Sequence, residues 1–220
     1  MRKIIGAAFT SLDGVIQAPG GPEEDPTCGF RLGGWLANYF DEAIDERIDA
    51  LFTEPFDLLL GRRTYDIFAA YWPFVKDEEG GIGRSFDRAG KYVVTGGQQE
   101  LAWQNSHRVP SMDALAEVKN KEGPDMVIQG SSTLYPQLLA AGLIDRLTVM
   151  TFPVLLGSGK RLFGDGTPAR SMRMVDHQVT GGNIVATYEP NGEVKPGDFT
   201  TIEPTPAERE RRDRIAKGEW

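Results

Sequence analysis

Residues 56–65 read FDLLLGRRTY. Positions 57–60 have the length and apolar character of a buried strand. Gly61 ends it without a side chain, so the backbone can turn there or a ligand can come close. Thr64 stands at the start of the next helix, and TYDIFAAYW keeps helical spacing until Pro73 stops it. A helix start offers unpaired N–H groups and the positive end of a dipole. With Arg62 and Arg63 beside it, this stretch makes an anion site suited to phosphate. The same residues also suit a plain strand-to-helix turn with surface arginines.

Composition sets the outer limits. The chain has 220 residues, 40% hydrophobic and 25% charged, which is ordinary globular composition and enough for a sizeable core. A formal charge of −8 argues against a nucleic-acid surface. A single cysteine, Cys28, makes no internal disulfide, and with two histidines there is no Cys/His metal site. That fits a reducing cytoplasm. The opening MRKIIGAAFTSLDG reads as a first strand rather than a signal peptide. No apolar run has the length of a membrane span.

Working outward, 3–10 reads as strand one, followed by the turn Ser11-Leu12-Asp13-Gly14. Residues 17–34 form a Gly/Pro-rich loop with an acidic run, either a lid or binding loop or else disordered. The apolar face of 35–52 predicts one long helix, with Asp41, Glu42, Asp45, Glu46 and Asp49 off that face. Residues 73–84 read as a polar loop. Strands are expected at 91–95, 108–109, 125–129 and 147–155. Helices are expected from Ser111 to 121 and from 131 to Gly142. A hairpin spans 172–188 across 180–183. Residues 190–206 read as a linker, and 205 onward as a solvated helix or a tail docked through Ile215 and Trp220. The expectation is one domain over 1–190 and a tail over 191–220. Strands alternating with helices, then a hairpin, predict an α/β fold.

Val127-Ile128-Gln129-Gly130-Ser131-Ser132-Thr133-Leu134-Tyr135 repeats the logic of the first stretch: strand, glycine, hydroxyl-rich helix start. Two such turns at the carboxyl ends of parallel strands suggest a dinucleotide lying across the sheet edge. No GxGxxG follows a strand. Gly157-Ser158-Gly159-Lys160-Arg161 lacks the first glycine and the Ser/Thr of a P-loop, which excludes an ATPase of that type.

These pieces, with Tyr92-Val93-Val94-Thr95 and the run PVLLGSGKRLF at 153–163, resemble the dihydrofolate-reductase-like fold. More closely, they resemble the reductase domain of bacterial riboflavin-biosynthesis deaminase-reductases and its stand-alone relatives, over roughly residues 3–188. The resemblance implies a mixed sheet, mostly parallel with a C-terminal antiparallel hairpin, and helices on both faces. It implies NADPH across the sheet. Gly61, Arg62, Arg63 and Thr64 would meet its phosphates. Thr95 would lie near the 2′-phosphate. Gly130, Ser131, Ser132 and Thr133 would cradle the pyrophosphate. Ala8 and Ile16 would flank the nicotinamide with Tyr135 close by, although Ala8, Ile16 and Tyr135 suit plain core packing equally well.

Two departures matter. Folate reductases carry a carboxylate on the first helix, and Asp45 stands at the comparable distance here. Asp41 or Glu42 could serve instead, and Asp45 also fits the wet face of its helix. This chain also has no deaminase domain and no zinc-ligand set.

The reading is an NADPH-dependent reductase acting on a flat pterin- or pyrimidine-like heterocycle, similar to 5-amino-6-(5-phosphoribosylamino)uracil reductase. Asp13 and Asp45 are its candidates for steering a proton, although Asp13 could simply cap its turn. The alternatives are a non-catalytic nucleotide-binding protein that keeps the fold, and an assembly module. The resemblance further implies a homodimer through the apolar C-terminal strands. No nucleic-acid, membrane or metal partner is expected.

Overall fold

The computed structural model describes residues 1–52, 55–75 and 81–219. Its strands are β1 (Ile4–Ser11), β2 (Phe56–Gly61), β3 (Lys91–Val94), β4 (Ser106–Val109), β5 (Asp125–Gln129), β6 (Arg146–Phe152), β7 (Met172–Thr180) and β8 (Asn183–Pro190). They form one sheet in the order β4-β3-β2-β5-β1-β6-β8-β7. Every pairing from β4 to β6 is parallel. β8 runs antiparallel to β6, and β7 antiparallel to β8. This is the mixed, mostly parallel α/β sheet that the sequence predicts.

Helices cover both faces because the parallel strands are apolar on both sides. They are α1 (Glu42–Phe52), α2 (Arg62–Ala69), α3 (Ile82–Arg88), α4 (Met112–Asn120), α5 (Leu134–Ala140) and α6 (Pro206–Ala216). Alternation along β2 shows the two layers. Leu59 packs with Ile4, Met126 and Ile128 against Leu115 of α4 and Leu138 of α5. Leu58 and Leu60 pack on the other face with Tyr65, Phe86, Val93 and Trp103. Ile44 and Ile48 of α1 extend that face over Met150, Phe152 and Val185. At Gly6 of β1 an added Cβ would lie 2.7 Å from Tyr135 and 2.8 Å from Leu147, so only glycine lets α5 sit this close.

Several predicted boundaries change. The continuous helix over 35–52 is instead a 3-10 turn at Trp35–Asn38, then α1. Asp41 breaks the run. Its carboxylate accepts from the Ile44 amide at 2.9 Å, as an N-cap does, and from Asn183 Nδ2 at 3.0 Å. It thus starts α1 and holds the β7–β8 turn, where Gly181 and Gly182 both have positive φ. α2 begins at Arg62, two residues before Thr64, and ends at Ala69; Pro73 sits within a separate 3-10 turn. Part of the loop expected over 73–84 belongs to α3, and 76–80 lie outside the described residues.

Beyond β8, no residue of α6 is buried; its Thr205 cap accepts from Glu208 N. Ile215 is half-buried, while Trp220 lies outside the described residues. Among the described residues no helix is long and apolar enough to cross a membrane.

At the amino ends of the strands, buried cations are matched by acceptors. Arg2 pairs with Asp57, and Lys119 with Asp145. Lys91 is fully buried, donates to the Asp87 carbonyl at 2.7 Å and lies 4.2 Å from the Trp103 ring centre. Burial pulls its ammonium pKa down to about 8, against the opposing pull of Asp87 and Asp57.

Candidate functional site

The carboxyl ends of β2 and β5 are neighbours, and a cleft of about 980 Å³ opens above them. Its lining changes along α2. Arg62, Arg63 and Thr64 stand at the helix start, Ile67 and Phe68 a turn further on, and Tyr71 and Trp72 past its end. Gln129 to Thr133 line it from β5, and Phe9, Leu36 and the loop from Ile16 to Asp25 complete the wall. A smaller cavity of about 610 Å³ shares Arg63, Ser132, Thr133 and Lys160 with the cleft and adds Arg161.

The two strand ends are clasped together. Ser131 N donates to Thr64 Oγ1 at 3.0 Å, and Gly61 N donates to Ser131 Oγ at 3.0 Å. Each hydroxyl thereby accepts one bond and keeps its own proton to donate. Gly130 and Ser131 both have positive φ, +72° and +55°. At Gly130 the conformation favours glycine, and a Cβ would also stand 3.2 Å from Thr64 Cγ2. The first N–H groups of α2 have no intrahelical partner and so add donors. This set suits a pyrophosphate.

The two arginines differ in their partners. Arg62 Nε lies 2.9 Å from both carboxylate oxygens of Asp66, one turn on, and its Nη1 donates to the Gln99 carbonyl at 3.1 Å. Arg63 has no carboxylate partner among the described residues and lines both cavities. The Arg62–Asp66 spacing of four was visible in the sequence as a helical ion pair. Arg108 of β4 was not singled out there. It donates to the carbonyls of Gly97 and Gln99, meeting Arg62 at the Gln99 carbonyl. Thr95 Oγ1 accepts from Gly97 N at 3.1 Å, and Thr95 does not line the cleft.

Of the expected nicotinamide flank, Ile16 lines the cleft. Ala8 and Tyr135 lie beneath it in the core, with Tyr135 Oη donating to the Ala7 carbonyl at 3.4 Å. Burial pushes the Tyr135 phenol far up, so it stays protonated.

Neither expected acid reaches the cleft. Asp45 is exposed on α1, whose apolar side faces the sheet. Asp13 accepts from Ser11 Oγ at 2.6 Å, Leu156 N at 3.1 Å and Gly157 N at 2.8 Å. The Ser11 hydroxyl, with the two amides, holds its pKa down to about 2. Asp13 therefore knots the 11–15 turn to the 156–161 loop.

The carboxylates that do line the cleft are Asp66 on α2 and three on the 17–34 loop, which is ordered as a wall. Asp25 is buried and pairs with Lys160. Burial pushes it up, but Lys160 and Thr27 hold it below the usual range. Glu24 accepts from Gly20 N at 2.7 Å, and burial raises its pKa. Gln17 braces the loop, donating to the carbonyls of Asp25 and Thr27 and accepting from Lys160 N at 2.9 Å. Gln129 lines the cleft, and its Oε1 is buried with no hydrogen-bond partner among the described residues.

Known proteins share this architecture. The RibD C-terminal domain family matches residues 2–186. The uncharacterized protein YyaP of Bacillus subtilis (strain 168) is 27% identical over 201 residues, covering 87% of this chain and 96% of YyaP. Among solved structures, a protein of Shewanella sp. PV-4 named as a candidate riboflavin biosynthesis protein superposes with a TM-score of 0.63 at 20% identity. It covers 86% of this chain and 99% of its own. Dihydrofolate reductase of Enterococcus faecalis, complexed with NADP(H) and RAB-propyl, gives 0.54 at 17% identity, covering 86% and 96%. A pyrimidine reductase-like protein of Corynebacterium diphtheriae gives 0.56 at 14% identity, covering 87% and 93%. At these identities the structures share the fold.

Proposed function

The chain belongs to the RibD C-terminal domain family, and from that premise we propose that it is an NADPH-dependent reductase of a flat, pterin- or pyrimidine-like heterocycle. The observation that carries this is the cleft itself. It lies over the carboxyl ends of adjacent parallel strands, with phosphate-suited donors at the start of α2 and an aromatic wall further along it. Bound NADPH supplies a hydride, and the protein's share is binding, orientation and exclusion of water.

Arg63, Thr64, Ser132 and Thr133 would hold the pyrophosphate. Arg62 and Arg108, beside Thr95, would meet the 2′-phosphate. Ile16 would pack against the nicotinamide, with Ala8 and Tyr135 supporting the floor. Phe68, Tyr71 and Trp72 would stack the substrate ring. Reduction also needs a proton, and Glu24 is the group we assign to give it, because it lines the cleft and burial raises its pKa.

Fluorescence titration with NADPH and NADH, followed by loss of NADPH absorbance in the presence of oxidised pterins and pyrimidines, tests the assignment. Binding of NADPH with turnover of one such ring is the expected result. Absence of NADPH binding would overturn it. Tight binding with no turnover would favour a nucleotide-binding protein without chemistry, a reading supported by the absence of Asp13 and Asp45 from the cleft.

A further inference from the structure

Gln129 ends β5 opposite Ala7 of β1 and lines the cleft, and its buried side-chain oxygen, Oε1, has no hydrogen-bond partner among the described residues. A desolvated carbonyl without a donor costs stability that leucine or methionine in the same place would not. The other such atom among the described residues, Asn183 Oδ1, belongs to the β7–β8 hairpin and lines neither cavity.

The neighbours narrow the missing partner. Phosphate oxygens accept hydrogen bonds, so the group that meets Arg63, Ser132 and Thr133 cannot satisfy a carbonyl. The next units along a dinucleotide are a ribose, with hydroxyl donors, and then a carboxamide N–H2. Strand order selects the half. Thr95 directly follows β3 and Arg108 belongs to β4, on one side of β2, whereas β5 and β1 lie on the other. A dinucleotide whose 2′-phosphate sits by Thr95 reaches Gln129 with its nicotinamide half.

We propose that Gln129 Oε1 accepts a hydrogen bond from a donor on the nicotinamide-riboside half of the cofactor, a ribose hydroxyl or the carboxamide N–H. Resting on the reading of this chain as a dinucleotide-binding reductase, the proposal makes Gln129 the residue that grips the reactive half rather than the phosphates. A buried acceptor left empty without ligand is then a binding device that lowers stability until the cofactor arrives.

The test is Gln129→Leu, with Gln129→Met as a second variant, in the full chain. The expected result has three parts. NADPH affinity falls about 2- to 12-fold, the yield of one neutral hydrogen bond. Affinity for 2′,5′-ADP, which lacks the nicotinamide half, does not change. The ligand-free melting temperature holds or rises by about 2–4 °C. A merely structural role would lower the melting temperature and weaken both ligands alike, which overturns the proposal. Unchanged NADPH affinity also overturns it.

The 3-acetylpyridine analogue of NADPH, which has no amide N–H, separates the two donors. If Gln129→Leu weakens it as it weakens NADPH, the ribose is the source; if not, the carboxamide is. Wild-type protein that binds no NADPH overturns the reductase reading itself, whereas wild-type binding with an unaffected variant overturns only the role of Gln129.

Discussion

The backbone amide of Ser131 donates to Thr64 Oγ1 at 3.0 Å. The two residues are 67 apart in sequence, and the bond fixes the end of β5 against the start of α2. Thr64→Val keeps the shape and deletes the acceptor, leaving a partly buried amide unpaired. The expected loss is about 1–3 kcal/mol, read as a lower melting temperature, with weaker NADPH binding as the two lips of the cleft lose register. Thr64→Ser should restore both. A Val variant as stable as wild type would show that the clasp contributes little.

The guanidinium groups make separable predictions. Arg63→Ala should weaken NADPH and NADH alike by roughly 10- to 150-fold, the scale of a charge-assisted bond to phosphate, and less at high salt. Arg108→Ala should weaken NADPH and spare NADH. Arg62→Ala should cost less than Arg63→Ala, because Asp66 already neutralises Arg62. Titration of both cofactors against the three variants orders them, and a larger effect at Arg62 than at Arg63 would reverse the assignment.

Glu24 and Asp45 separate once a turned-over heterocycle is in hand. Glu24→Gln should lower turnover by roughly 10²–10⁴-fold with little change in NADPH affinity, while Asp45→Asn leaves both unchanged. Wild-type turnover should fall as pH rises through the raised pKa of Glu24, since only the protonated carboxyl can give its proton. Full activity of Glu24→Gln would leave water as the proton source.

Lys91 links stability to alkaline pH. Its folded pKa of about 8 lies below the ordinary 10.5, so between these values the unfolded chain binds more protons. Stability from this group therefore rises with pH across that window and is at its lowest below it. The change is on the order of 1–3 kcal/mol. Denaturant midpoints for wild type and Lys91→Met at pH 7.5 and 9.5 measure it; the wild type should gain relative to the variant.

The outer edge of β7 bears on assembly. Met174 and Val179 on this strand are exposed, and its far side pairs with no strand among the described residues. We propose self-association through this edge, as such edges readily pair. Val179→Lys should shift sedimentation toward monomer; a wild type that is monomeric at all concentrations would rule the contact out.

What could be read from the sequence was local and apolar. The central strands were legible because LLL at 58–60 and MVI at 126–128 are buried runs closed by glycines. The expected helix over 35–52 is too long because its apolar spacing carries on through the 3-10 turn, whereas the break lies at Asp41, which caps the Ile44 amide and also accepts from the distant Asn183. α3 was missed because its apolar signal is mainly Ile82 and Phe86. At the site, the glycine and hydroxyl turns of both strand ends do line the cleft. Which arginine lacks a carboxylate partner among the described residues, which acid lines the cleft and that Gln129 Oε1 lacks a donor among them are properties of packing between segments, and no spacing rule encodes them.

The position of β1 in the sheet also has a cost during synthesis. Its two neighbours are β5 and β6, with Ile4 opposite Met126 and Ile5 opposite Arg146. The first strand to leave the ribosome is therefore among the last to be paired. Both of its edges stand open until β5 is complete at Gln129, and one stays open until β6 is complete at Phe152, and such unpaired apolar edges invite aggregation. Pairing at this sequence separation also slows folding. Nascent chains halted before β6 should consequently stay protease-sensitive and depend on chaperones, then become resistant together once that strand emerges.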